Sequence, residues 1–238
     1  MQAIANRAPT SAEKATASRP DARTPGRAVL RDRFVALWRR HQRAGARDAA
    51  DSVWHEVETR YAETHRHYHD LRHVAHCLQQ LDLAGDRVAE LDQVETAIWF
   101  HDAIVVPGRA DNEQRSADLF CALAGPLMDP GFVSAVVDLV LFTTHRTTPA
   151  DVDHQFICDI DLSSFGSPWE DFLANSRAIE AEFPGSRAEY VRREITFLES
   201  LLRRPRIFLT DFFHDRCEAR ARENIRRFLA MLATPGEP

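Results

Sequence analysis

The chain reads as an all-α protein, and three observations predict it. Apolar residues recur at three- and four-residue spacing through most of the sequence. Strand signals are nearly absent, because the apolar run Ile207-Phe208-Leu209 is too isolated to build a sheet. Prolines and glycines cut the rest into helix-length pieces, notably at Gly85, Pro107-Gly108, Pro130, Gly166, Pro168 and Pro205. There is no internal repeat. The expected architecture is a single helical-bundle domain over 28–238, with residues 1–27 as a disordered N-terminal arm.

The arm is rich in Ala, Arg, Ser, Thr and Pro and poor in large apolar residues, so it has little to bury. A transit peptide has a similar Arg- and Ser-rich look. From Ala28 onward Val29, Leu30, Phe34, Leu37 and Trp38 recur at helical spacing. A second helix is expected over 48–61, with Val53, Trp54 and Val57 on its apolar face. A His-rich turn follows at 65–69, then a helix over 71–83 that Gly85 stops. The next predicted helix, 88–106, is apolar around its C-terminal half except for His101-Asp102. Asp111 with Gln114 has capping-box spacing for a helix over 112–123. Pro130 opens an apolar helix over 131–144. A short helix over 152–162 is closed by Gly166, and Pro168 opens another that runs to 183. Helices over 187–203 and 215–232 complete the pattern, with Asp215 as the expected N-cap of the last.

The sequence has 238 residues, 44% hydrophobic and 28% charged, which is ordinary for a globular domain with a sizeable core. A net charge of -6 argues against a nucleic-acid binder, which would carry a basic face. Lys14 is the one lysine among 30 basic residues, a bias that points to a GC-rich bacterial genome. The four cysteines are far apart and read as small core residues of a reducing cytoplasm. No apolar run is long enough for a membrane span, and the N-terminus lacks the apolar core of a secretory signal. A cytoplasmic location is therefore expected.

The chemistry-bearing residues lie inside this helical pattern. A buried, ionised Asp102 is costly unless a cation or hydrogen bonds compensate it. On that stretch alone, a metal ion and a quiet pairing with arginine are equally good readings. His69 and His73 are four apart, so a helix would point both imidazoles into one pocket. His65, His67 and His76 lie nearby. Asp159 and Asp161 are two apart, so a helix turns only one of them toward any given site. One histidine of the first group, His101-Asp102 and one later aspartate make an imidazole and carboxylate set that suits Mn, Mg, Co, Zn or Fe. A bundle core could bring such a set together.

At this point the residues resemble a family. Arg66-His67-Tyr68-His69 with His73, then Trp99-Phe100-His101-Asp102, then Asp111-Asn112-Glu113 with Ser116-Ala117, then Asp159-Ile160-Asp161-Leu162-Ser163 follow the order of the HD superfamily of metal-dependent phosphohydrolases. The nearer resemblance is to its small bacterial members, and it covers most of 30–232. Arg204-Pro205-Arg206-Ile207 and Ala219-Arg220 with Asn224 fit as well. Cyclic nucleotide phosphodiesterases are more distant relatives, sharing a Tyr-His-Asn-x-x-His pattern and a later Asp-Leu-Ser.

The resemblance implies an all-α fold and a divalent metal ion held by His73, His101, Asp102 and Asp161. It makes His69 the general acid and gives Asp102 a catalytic role beside its metal role. Asp70 stands where the family often has Asn. Asp161-Leu162-Ser163 matches the Asp-Leu-Ser pattern, which favours Asp161 over Asp159 as fourth ligand. Glu113 and His145 are secondary candidates, and Arg72, Arg115 and Arg146 are candidate phosphate clamps. His214-Asp215 is read as a decoy. The implied activity is hydrolysis of a phosphoester in a nucleotide or related small phosphate. The rival readings are an HD-type di-iron oxygenase and a non-catalytic nucleotide- or metal-binding protein. No nucleic-acid or membrane partner is expected, and the apolar, aromatic C-terminal helices could supply a homodimer face.

Overall fold

The computed structural model describes residues 25–233 and, among them, ten α-helices and no strand. They are α1 Arg27–His41, α2 Ala50–Tyr61, α3 Leu71–Ala84, α4 Leu91–Phe100, α5 Asn112–Ala124, α6 Pro130–Phe142, α7 Val152–Leu162, α8 Trp169–Glu182, α9 Arg187–Arg203 and α10 Asp211–Ala233. Two 3-10 turns, Gly85–Arg87 and Ser163–Gly166, follow α3 and α7. Residues 1–24 of the expected disordered arm lie outside the described residues. Arg27 opens α1 as an ordered residue, and its guanidinium pairs with Glu58 on α2. Among the described residues no helix is long and apolar enough to cross a membrane.

The core explains the order of packing. Leu30, Phe34, Leu37 and Trp38 form the buried stripe of α1. Phe34 meets Trp54 and, edge-on at 86°, Trp99; Trp38 meets Phe120 at 89°. Edge-to-face contacts of this kind add to the area burial of each ring. α4 is the hub: it packs against α1, α3, α5, α6 and α7. Seven consecutive residues, Val94 to Phe100, are buried, so this helix has no free face. One of them is a charge, Glu95, which the Arg33 guanidinium meets at 2.9 Å through two nitrogens.

The helix ends near the site differ from the sequence expectation. The predicted 88–106 helix starts at Leu91 and stops at Phe100. Beyond it the backbone finds tertiary partners in place of helical ones. Arg66 donates to the carbonyls of Asp102 and Ala103, the Ser116 hydroxyl accepts from the Ile104 N–H, and Asn112 accepts from the Val106 N–H. The Asp111–Gln114 capping box does not form, because Arg109 holds Asp111 and Gln114 donates to Asp118. A capping box does form at Ser186–Glu189. The last helix starts one turn before the expected N-cap. Thr210 Oγ1 accepts from the Phe213 N–H, and Asp215 is an exposed residue inside α10.

Two glycines do positional work. Gly85 ends α3 with φ 54°, a backbone region that favours glycine. A Cβ at Gly166 would sit 2.7 Å from the Cys217 Cβ, so this position lets the turn after α7 press against α10.

Candidate metal centre

Three segments converge on one point. α3 brings His73 and, one turn on, Cys77. The end of α4 brings His101 and Asp102, and the end of α7 brings Asp161. The His73 Nε2 and His101 Nε2 atoms are 3.1 Å apart. Asp161 Oδ1 lies 3.2 Å from the first and 3.6 Å from the second. Asp102 Oδ2 lies 3.0 Å from His101 Nε2 and 3.6 Å from His73 Nε2. Cys77 Sγ is 3.7 Å from His73 Nε2. One ligand atom each of His73, Cys77, His101 and Asp161 lies within 4.8 Å of the other three, and this buried cluster could hold a metal ion.

The donor set fits a cation on a specific ground. His101 Nδ1 faces the Ile98 carbonyl at 2.9 Å, which fixes the ring proton on that nitrogen. In the neutral ring Nε2 is then a lone pair, and it points at the Asp102 carboxylate and at a second imidazole. Lone pairs facing one another at about 3 Å in a buried place repel unless a positive charge sits between them. Burial opposes protonation of His101, but Asp102 and Asp161 outweigh it and push its pKa well above the ordinary value. Both carboxylates are held low, although burial works to raise them. His101 and then His69 pull Asp102 down; His101, His145 and His73 pull Asp161 down. Either a proton or a metal ion placed among these atoms would relieve the repulsion, so the cluster could hold a metal ion.

His69 stands beside the cluster and is held from behind. It lies in the turn before α3 and so is not on the helix that carries His73; Asp70 is the N-cap. The two rings nevertheless come within 6.0 Å. Glu182, the last residue of α8, accepts the backbone N–H groups of His67, Tyr68 and His69 at 2.6, 2.7 and 2.9 Å. Its second oxygen pairs with His69 Nδ1. Burial works to raise Glu182, but His69 and these amides bring its pKa down to about 2. Burial opposes protonation of His69 in turn, and Asp102, Glu182 and Asp161 raise its pKa above the ordinary value. The result is an imidazole fixed at Nδ1, with no hydrogen bond at Nε2 among the described residues.

The other sequence candidates divide clearly. His145 Nε2 meets Asp161 Oδ2 at 2.8 Å. Its backbone has φ 54°, a costly conformation for a non-glycine residue, and Arg204 donates to its carbonyl at 2.8 Å. His76 donates from Nε2 to Ser163 Oγ, since the Ser163 hydroxyl proton goes to the Ile160 carbonyl. Burial, aided by His73, pushes His76 down to about 4. Asp159 turns away from the cluster: its carboxylate accepts the N–H groups of Leu209 and Thr210 and the Thr210 hydroxyl at 2.7–2.8 Å. Glu113 lies half-buried in the first turn of α5, with no hydrogen bond to the cluster among the described residues. Arg72, Arg115 and Arg146 are all exposed. Arg72 is engaged by Asp70 and the His67 carbonyl, and Arg146 by the Ala110 carbonyl.

Three residues escaped the sequence reading in different ways. Cys77 faces the cluster, whereas Cys121 is exposed, so the four cysteines are not alike. Its signal was the four-residue step from His73. Arg66 sits inside a recognised motif, and its buried guanidinium ties the His69 carbonyl to that of Asp102. Glu182 gave no local signal, because it is 113 residues from the histidine it holds. A larger open cleft of about 810 Å³, by Arg87, Phe212 and Arg216, is lined by none of these residues. No family model matches the chain, and no curated protein or solved structure matches it.

Proposed function

We propose that the protein is a metal-dependent phosphohydrolase of the HD type, acting on a nucleotide or a related small phosphate. The observation that carries this reading is the convergence of His73, His101, Asp102 and Asp161 beside a histidine that Glu182 fixes at one nitrogen. In this reading those four side chains hold one divalent ion, with Asp102 as ligand on the open side. When bound, the ion supplies a lowered pKa for a water molecule and a polarised phosphoryl oxygen.

The chain's own residues supply the rest. Asp102 would be one of the residues holding the ion, and its carboxylate would also serve as the base that accepts a proton from the attacking water. His69 donates the proton on Nε2 to the leaving oxygen. Glu182 holds His69 at Nδ1 and aims its other nitrogen, and Arg66 fixes the spacing between the acid and the metal-binding backbone. His145 holds one oxygen of Asp161, leaving Oδ1 for the metal. Phosphate charge is met by the ion and by the protonated His69; Arg72 and Arg146 hold other partners.

The test is turnover of a panel of nucleoside mono-, di- and cyclic phosphates with Mn, Co or Mg, paired with metal analysis. His101→Ala and Asp102→Ala are expected to lose bound metal. His69→Ala keeps the metal and lowers kcat by about 10²–10⁴-fold. Full metal content in the first two variants, or no hydrolysis of any substrate, overturns the reading. Tight nucleotide binding without turnover would mark a binder, and two irons per chain with oxygen consumption an oxygenase.

A further inference from the structure

We propose that Cys77 creates a second, closed metal position on the inner face of the cluster, one that takes zinc through a thiolate and competes with the catalytic ion for His73, His101 and Asp161. The inference rests on the metal reading above and concerns a residue that reading does not use.

The geometry of four atoms supports it. Zinc bonds of 2.0–2.3 Å in a tetrahedron set neighbouring ligand atoms about 3.3–3.8 Å apart. The separations here are 3.1 Å for His73–His101, 3.2 Å for His73–Asp161, 3.6 Å for His101–Asp161 and 3.7 Å for Cys77–His73. The remaining two, from Cys77 to His101 and to Asp161, are within 4.8 Å. A movement of the Cys77 sulfur by about an ångström toward His101 and Asp161, within reach of a rotation about its χ1, closes the set around one ion.

Depth separates this position from the catalytic one. Asp102 retains 17% of its side-chain exposure and lies on the His69 side. Cys77 is 0% exposed. Ile98, Ile157 and Ile160 line the space between Cys77, His101 and Asp161, and it admits no water-sized sphere. Mg and Mn favour oxygen ligands, and Mg gives up its waters reluctantly, so hard ions belong on the Asp102 side. Zinc accepts two imidazoles, a carboxylate and a thiolate as a complete shell. Binding releases the thiol proton to solvent. An ion so enclosed has no open position for water or substrate, so the zinc-filled inner position is an inactive state.

The experiment uses the full chain stripped of metal and titrated with Co(II), with zinc and manganese affinities measured in parallel. The expected result is a near-ultraviolet thiolate-to-cobalt charge-transfer band in the wild type. It is absent in Cys77→Ser and Cys77→Ala and retained when Cys121, Cys158 and Cys217 are replaced together. Zinc affinity falls at least about tenfold in the Cys77 variants, since even ligand-supporting residues are worth that much; manganese affinity changes far less. Cobalt bound without the band, or a band that survives in Cys77→Ser, overturns the inner position and leaves the phosphohydrolase site standing. A wild-type chain that binds neither cobalt nor manganese overturns both.

Discussion

Asp159 and Asp161 stand two residues apart on α7, and each is turned into the protein, yet their surroundings are opposite in kind. Asp159 faces the linker before α10 and meets three donors, the N–H groups of Leu209 and Thr210 and the Thr210 hydroxyl. Asp161 faces the three imidazoles of His73, His101 and His145. A carboxylate surrounded by N–H and O–H groups is a strut, because its lone pairs are already used. His145 can hold one oxygen of Asp161 as a donor, but the other oxygen faces His101, whose Nδ1 proton goes to the Ile98 carbonyl and whose Nε2 in the neutral ring is a lone pair, so a cation shared there would relieve the repulsion. One carboxylate is satisfied by donors of the chain, and the other belongs to a cluster that could hold a metal ion.

The comparison is broken most directly at Asp161. Asp161→Asn keeps the shape and removes the charge, so metal affinity is expected to fall at least about 100-fold, read by competition with a chromophoric chelator. If the affinity survives, Asp161 is a structural carboxylate like its neighbour, and the distinction fails. Asp159→Ala tests the other arm. It leaves three buried donors without partners, and the expected cost is about 2–4 kcal/mol of stability, seen as a lower urea midpoint at unchanged slope. Metal content at saturation should stay at the wild-type value. A loss of metal without a loss of stability would reverse the roles of the two residues.

How much of this was legible in the sequence follows from what each feature depends on. The all-α class depends on local periodicity, and Leu30, Phe34, Leu37 and Trp38 carry it openly. The opposite orientation of Asp159 and Asp161 depends only on their two-residue separation in a helix, so it too could be read in advance. Helix ends near the site could not. α4 stops at Phe100 because Arg66, Ser116 and Asn112, distant in sequence, take over the backbone that follows. The same holds for Asp111, whose capping role was lost to Arg109. Cys77 stands visibly one turn beyond His73, but the sequence cannot mark it as a ligand, since burial and metal ligation look alike in an apolar helix. Glu182 was not legible at all, because its partners come together only when α8 docks beside the turn before α3.

A third, half-buried carboxylate sharpens the contrast, because it has neither donors nor imidazoles. Glu194 on α9 is half-buried and makes no hydrogen bond or ion pair with another described residue. Burial, reinforced by the charge of Glu180, pushes its pKa up to about 7 from 4.5. Burial raises Asp159 too, to about 6, but the Leu209 and Thr210 donors pull against it; Glu194 has no such donors and rises further. The folded state therefore binds more protons than the unfolded state between the two Glu194 values, and stability must fall as pH rises across that window. The contribution is full below pH 4.5 and gone above pH 7. A shift of this size corresponds to about 3 kcal/mol as an upper bound. Partial exposure screens it, and about 1–2 kcal/mol is expected. Glu194→Gln cannot ionise, so the variant should match the wild type near pH 4.5, exceed it by that amount at pH 8, and show a flatter urea midpoint between them. An unchanged pH profile would mean that Glu194 is already solvated in the folded state, and that the rule drawn from Asp159 and Asp161 does not extend to the α8–α9 side of the molecule.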